Sequence, residues 1–185
     1  MEKLLSDGRL FKLLEKVDAD LAEEAREGGC EHCGEEKLHR GDYDRLPRGG
    51  PGWDKRYSFN CARKNCRKRK TPASVRFLGR KVYVGVVVVL VGAMMHGAKP
   101  HRVERLRHEL GVDERTLKRW RAWWLETFAE SRFWRGARGQ FMPTVDEKVI
   151  PLSLVEAFGA NRAGLLKLME FLSPITAPGK GVIAM

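Results

Sequence analysis

Residues His101 to Trp124 read HRVERLRHELGVDERTLKRWRAWW, and the fold turns on how this stretch is parsed. Val103, Leu106 and Leu110 recur at helical spacing, and Pro100 before them suits the first position of a helix. Gly111 stands where a tight turn between helices needs a left-handed residue, and Val112 plugs that turn. Asp113 is a good N-cap for a further helix, whose apolar stripe is Leu117, Trp120 and Trp124. The spacing predicts helices over about 100–110 and about 114–128, joined as a helix-turn-helix. The opposite face of the second helix carries Arg115, Thr116, Lys118, Arg119 and Ala122. Such a face suits the major groove, where Arg reads guanine bidentately and Thr contacts a thymine methyl or a phosphate. A merely solvated basic face competes with this reading, and the turn, cap and spacing together favour the motif. Trp120, Trp123, Trp124 and Trp134 also suggest stacking platforms for unpaired bases. On an amphipathic helix such rings belong to the core, with Trp123 the one expected at the surface.

Upstream, Val82 to Met95 reads VYVGVVVVLVGAMM, an apolar run of 14 residues. A membrane-spanning helix needs about 20. Arg80 and Lys81 precede the run and His96 comes directly after it, so it predicts a buried core helix over about 79–96, ended by Gly97. With the two helices that come after it, it makes a three-helix domain over 75–135.

Further upstream the chain loses its helical pattern. Between 30 and 72 it is rich in Gly and Pro, and Arg56 to Phe59 alternates enough for one short strand. This segment holds all four cysteines: Cys30 and Cys33 as C-x2-C, then 27 residues, then Cys61 and Cys66 as C-x4-C. Four thiolates close a tetrahedral Zn2+ site with no open position, which marks a structural ion. Gly34 lets the first turn become left-handed, and Asn65 is the candidate for that role in the second. Disulfides would require an exported chain, and the charged, amphipathic N-terminus has no secretory pattern. His32 and His39 are poorer ligand candidates. No pattern of a catalytic zinc site occurs, so no catalysis is expected.

The chain has 185 residues, with 35 Lys and Arg against 24 Asp and Glu and a formal net charge of +11. Such a balance attracts polyanions. Arg63, Lys64, Arg67, Lys68, Arg69 and Lys70 crowd the second cysteine pair and are placed to grip phosphates, which gives affinity and register rather than sequence choice. Residues 1–28 predict an amphipathic helix, which Asp7-Gly8 either interrupts or starts. In 136–185, Arg135 to Gly139 reads as a loop. Pro151 to Phe158 and Asn161 to Leu172 read as short helices, the second capped by Asn161, and the tail from Ser173 as loosely ordered. That extension packs on the core or contacts a partner.

From Cys30 to Trp124, the stretches Arg56-YSFN-Cys61, Cys66-RKRKT and Phe77-LGRKVY resemble the ribbon-to-helix junction of bacterial insertion-sequence transposases, in their N-terminal DNA-binding region. The resemblance covers about half the chain. It departs in the C-x4-C pair, in the long gap between pairs, and in the short stretch of chain after the helix-turn-helix. About 60 residues remain after Trp124, too few for a nuclease core, and Asp146, Glu147, Glu156 and Glu170 read as surface acids. The resemblance implies a stand-alone relative, an accessory protein of a mobile element or a regulator derived from one, with a transposase as a candidate partner. The expected fold is mainly α with a small β zinc ribbon over 29–74. The expected role is non-catalytic binding of double-stranded DNA in the cytoplasm, at the nucleoid. A homodimer would suit a palindromic site, and no membrane is expected. An RNA-binding zinc-ribbon protein, or an adaptor whose basic faces meet an acidic protein, are the alternatives.

Overall fold

Ten consecutive residues, Gly85 to Met94, have no appreciable exposed surface. They form helix α3 (Gly85–Met95), around which the rest of the helical body is built. Six of the ten are valine or leucine in unbroken order, so the helix is apolar all round and must be enclosed on every side. Valine is a middling helix former because its branched Cβ is stiff. Burial offsets this, at about 1.5–3 kcal/mol for each fully enclosed side chain. The computed structural model describes residues 2–5, 7–45, 54–78, 85–96 and 99–177. The expected helix start at 79, the Gly97 joint, part of the Gly/Pro-rich segment and the end of the tail lie outside these. Among the described residues no helix is long and apolar enough to cross a membrane.

The chain is mainly helical with a small antiparallel sheet. At the N-terminus, α1 (Glu2–Leu5) gives way at Asp7, whose carboxylate caps α2 (Gly8–Glu27) by accepting from the N–H of Arg9 at 3.0 Å. Leu10, Leu14, Asp18 and Ala22, four apart, are the buried line of α2. After α3 come α4 (Pro100–Leu110) and α5 (Glu114–Ala122). Helix α5 continues into a π-helical turn, Trp123–Phe128, whose width accommodates burial of the two consecutive tryptophans. Beyond it lie α6 (Arg132–Ala137), α7 (Leu152–Phe158) and α8 (Arg162–Leu172). Asn161 caps α8, its Oδ1 accepting from Gly164 N–H at 3.0 Å.

One continuous apolar core joins Leu10 and Leu14 of α2, the valines of α3, Leu117 to Phe128, Trp134, and Leu154, Val155, Leu165, Leu168 and Leu172 of the last two helices. The C-terminal extension therefore packs intramolecularly. At Gly92 the packing is so close that an added Cβ would lie 2.9 Å from the indole nitrogen of Trp124 and 3.0 Å from Pro151. Two expectations fail in this half. The Arg135–Gly139 stretch is helical, because Ser131 caps α6 and Trp134 anchors it in the core. The tail does not loosen at Ser173: a 3-10 turn continues through Thr176, with Ile175 and Thr176 buried.

The five strands among the described residues are short. β1 (Leu38–Arg40), β4 (Phe59–Cys61) and β5 (Arg69–Lys70) form one antiparallel sheet in the order β1-β4-β5, with Leu38 opposite Cys61 and Phe59 opposite Lys70. β2 (Tyr43–Arg45) pairs separately with β3 (Asp54–Arg56). The single strand expected at 56–59 is thus broken at Tyr57-Ser58. There the Asp42 carboxylate accepts the Ser58 N–H at 3.1 Å in place of a strand partner. Ala22, Cys30, Leu38, Phe59 and Cys61 form a second, much smaller core.

Candidate metal centre and candidate nucleic-acid face

Cys30, Cys33, Cys61 and Cys66 converge, with all four sulfurs within 4.8 Å of one another. Cys33 and Cys61 sulfurs lie 3.5 Å apart, and Cys30 and Cys66 sulfurs 3.8 Å. Both distances are far longer than a disulfide bond, and no cysteine is bonded to another. They match the edge of a sulfur tetrahedron around an ion held at about 2.3 Å, which is about 3.8 Å. The cluster can therefore hold a metal ion.

The backbone prepares the sulfurs for a cation. The Cys30–Gly34 turn is closed by Gly34 N–H donating to the Cys30 carbonyl at 2.9 Å, with Gly34 at φ 72°. The wider second turn closes through Cys66 N–H and Arg67 N–H, both donating to the Arg63 carbonyl. Its left-handed residue is Arg67, at φ 44°, and not Asn65. The two extra residues in the turn shift the reversal past the second cysteine. At three of the four cysteines the N–H two residues on points at sulfur: His32 at Cys30, Arg63 at Cys61 and Lys68 at Cys66. The His32 donor, with that of Cys33, pulls the Cys30 thiol down to about 7. Burial pushes Cys61 up to about 12. Cys66 is raised despite the Lys68 donor, through burial and the neighbouring Cys33 and Cys30 sulfurs. Such a crowded set cannot ionise together without a cation among them. His32 and His39 are exposed and stand apart from the cluster.

The basic run divides into two groups. Arg63 donates to the Cys33 carbonyl at 3.2 Å and pairs with Glu35. Lys70 donates to the Gly29 carbonyl at 2.9 Å and pairs with Glu31. These two cations brace the cysteine turns. Arg69 lies over the Tyr43 ring at 5.6 Å. Lys64, Arg67 and Lys68 are exposed and form no ion pair among the described residues.

The α4–α5 pair has the anticipated joint. Gly111 is left-handed at φ 59°, and Val112 is 2% exposed beneath it. Asp113 caps α5, its Oδ1 accepting from Thr116 N–H at 2.7 Å. Leu117, Trp120 and Trp124 are buried, Val103 and Leu110 half-buried, and the Leu106 side chain lies outside the described residues. Arg115, Lys118 and Arg119 are exposed, with Lys118 paired to Glu114 at 2.8 Å. Thr116 departs from its expected place on that face. It is 3% exposed, its hydroxyl donates to Asp113 at 3.0 Å, and Arg119 donates to it at 3.2 Å. One residue before Leu117, it sits at the edge of the buried stripe, where the capping carboxylate claims it. Trp120, Trp123, Trp124 and Trp134 are all at most 4% exposed, so none is a platform for a base. Trp123 meets Trp124 edge to face at 4.7 Å, which encloses it too.

A further polar cluster connects the two cores. Asp18, 1% exposed, accepts from Ser74 Oγ at 2.7 Å, Val75 N–H at 2.6 Å and Arg76 Nε at 2.8 Å. Arg76 also donates to Asp54 at 2.6 Å and to the Lys55 carbonyl at 2.9 Å, and it stacks over Tyr57. The guanidinium thereby links α2 to strand β3 and the cysteine segment. The signal in the sequence was an acid at the core-facing, four-residue spacing of α2. Compared with known proteins, the chain matches no family model, no curated protein and no solved structure.

Proposed function

We propose that the chain is a non-catalytic, double-stranded-DNA-binding protein in which α4 and α5 form a helix-turn-helix and the four cysteines hold one structural Zn2+ as a zinc ribbon. The observation that supports this most is the α5 surface. Its apolar stripe is buried, Asp113 caps it, and Arg115, Lys118 and Arg119 stand outward on one rigid helix. Arg115 and Arg119 would meet base edges. Lys64, Arg67 and Lys68, held on the second cysteine turn, would hold phosphates and set register. Four thiolates with N–H donors and no free ligand position suit zinc as a fold-forming ion. The resemblance to transposase DNA-binding regions favours a mobile-element accessory factor or a regulator as the biological setting.

Selection of duplexes from a random pool at about 150 mM salt tests this reading, since non-specific binding weakens steeply with salt. A sharp motif is expected. Arg119→Ala should alter that motif, and Lys68→Ala should weaken all sites alike. No enrichment of any sequence would overturn the recognition role of α5. Preference for RNA over duplex at matched salt would turn the proposal toward RNA.

A further inference from the structure

Helix α6 and the 3-10 turn after it present a second row of arginines that the α5 surface does not include. Arg132, Arg135 and Arg138 recur every three residues and are all exposed, while Trp134 and Ala137 between them are buried. The row is fixed from beneath. Ser131 Oγ accepts from Trp134 N–H at 3.0 Å, and the fully buried Trp134 ring donates its Nε1 to Glu147 at 3.0 Å. Arg138 shares that Glu147 carboxylate at 3.0 Å. Arg132 and Arg135 form no ion pair among the described residues, although Glu126 and Glu130 lie exposed just before them in the chain. Gly136 and Gly139 interleave the row, and beyond their own neighbouring backbone no atom lies within 4 Å of where a Cβ would stand on either. The backbone there is open to close approach, with guanidinium groups on the same short segment.

We propose that Arg132 and Arg135 grip the phosphate backbone of the same duplex, beyond the groove that α5 enters. The inference rests on the duplex-binding reading of α5. The continuous helix from Glu114 to Phe128 is 15 residues, about 22 Å at 1.5 Å per residue. The major groove is about 12 Å wide, so a helix of this length that enters it by its N-terminal end would extend past the bordering phosphates at its far end. Arginine forks match phosphate oxygens bidentately, and contacts of this kind add affinity without sequence preference. A row of exposed arginines on a chain of net charge +11 has an anionic polymer as its complement.

The test compares the parent with an Arg132→Gln/Arg135→Gln double variant on a mixed-sequence duplex of about 30 base pairs, long enough to pass both surfaces. Dissociation constants are measured across a salt series by fluorescence anisotropy. Each phosphate contact contributes about 0.9 to the slope of log affinity against log salt, so the double variant should be shallower by about 2. It should bind all sequences more weakly while selecting the same motif. The double Lys variant should recover most of the slope, and the unfolding midpoint should not move, because both side chains are solvent-exposed. A parental slope in the Gln variant overturns the inference while leaving the α5 reading intact. Failure of the parent itself to bind duplex overturns both.

Discussion

The cysteine segment and the helical body are stabilised by different means. The helical body buries a run of valines, four tryptophans and the apolar faces of α2, α5, α7 and α8 in one continuous core. Among the described residues the cysteine segment shares with Ala22 of α2 a core of five residues, two of them cysteines, and its strands are two or three residues long. So few apolar groups cannot offset the entropy of ordering about 40 loop-rich residues, at roughly 1–2 kcal/mol each. A region with a large core tolerates the loss of a single polar contact. A region without one needs a cross-link, and an ion held by the four thiols would supply it.

The largest expected effect comes from that difference. Chelation, or Cys33→Ser, should unfold the cysteine segment while the helical body keeps its tryptophan environment, since metal binding and folding of such a unit are one equilibrium. Metal analysis should return about one zinc per untagged chain. Retention of the full amount by Cys33→Ser would mean the ligand set is wrong. The opposite perturbation is Trp124→Ala, which empties the helical core and should cost about 3–5 kcal/mol in denaturant unfolding. The cysteine segment should still bind metal afterwards.

Arg76 tests whether the two regions act as one. Arg76→Met leaves Asp18 buried without its cation, and breaking such a pair costs about 3–5 kcal/mol. If the clamp couples the regions, the variant should melt in two transitions where the parent melts in one. A single sharp transition in the variant would show that the two cores are coupled by other contacts. Asp113→Ala should cost about 1 kcal/mol through loss of the α5 cap, and it should weaken duplex binding in proportion. The smallest effect is at Asp7. The hydrogen bond from Arg162 holds its carboxyl below the ordinary value, so the folded chain favours the carboxylate. Its contribution is complete above about pH 4 and is lost as pH falls through the lowered value. Asp7→Asn should remove that part of the acid limb in a pH series of melting curves.

Local signals were legible where one residue type has one physical reason to be there. Gly111 is left-handed, Asp113 and Asn161 cap, and Cys30 to Gly34 turns as its spacing demands. Legibility stopped where a residue's fate depends on distant neighbours. Thr116 looks like a groove contact in sequence, yet a hydroxyl beside a capping carboxylate is better satisfied inward. Trp123 looks exposed on an ideal helical wheel, and the widened turn buries it. Arg135 to Gly139 has the composition of a loop, and the burial of Trp134 with the Ser131 cap holds its first residues in a helix.

By itself, the sequence determined the main helices, the pairing of the four cysteines, the left-handed turns at Gly34 and Gly111, the caps at Asp113 and Asn161, and the basic character of the surface. These depend on backbone sterics, spacing and charge, which act over a few residues. Only the tertiary structure decided which cations face solvent and which brace the cysteine turns. It also decided that Asp18 and Arg76, 58 residues apart, share one buried hydrogen bond. The physical reason is that a charge is free or engaged according to what the fold brings within about 4 Å of it, and that distance is set by packing the whole chain.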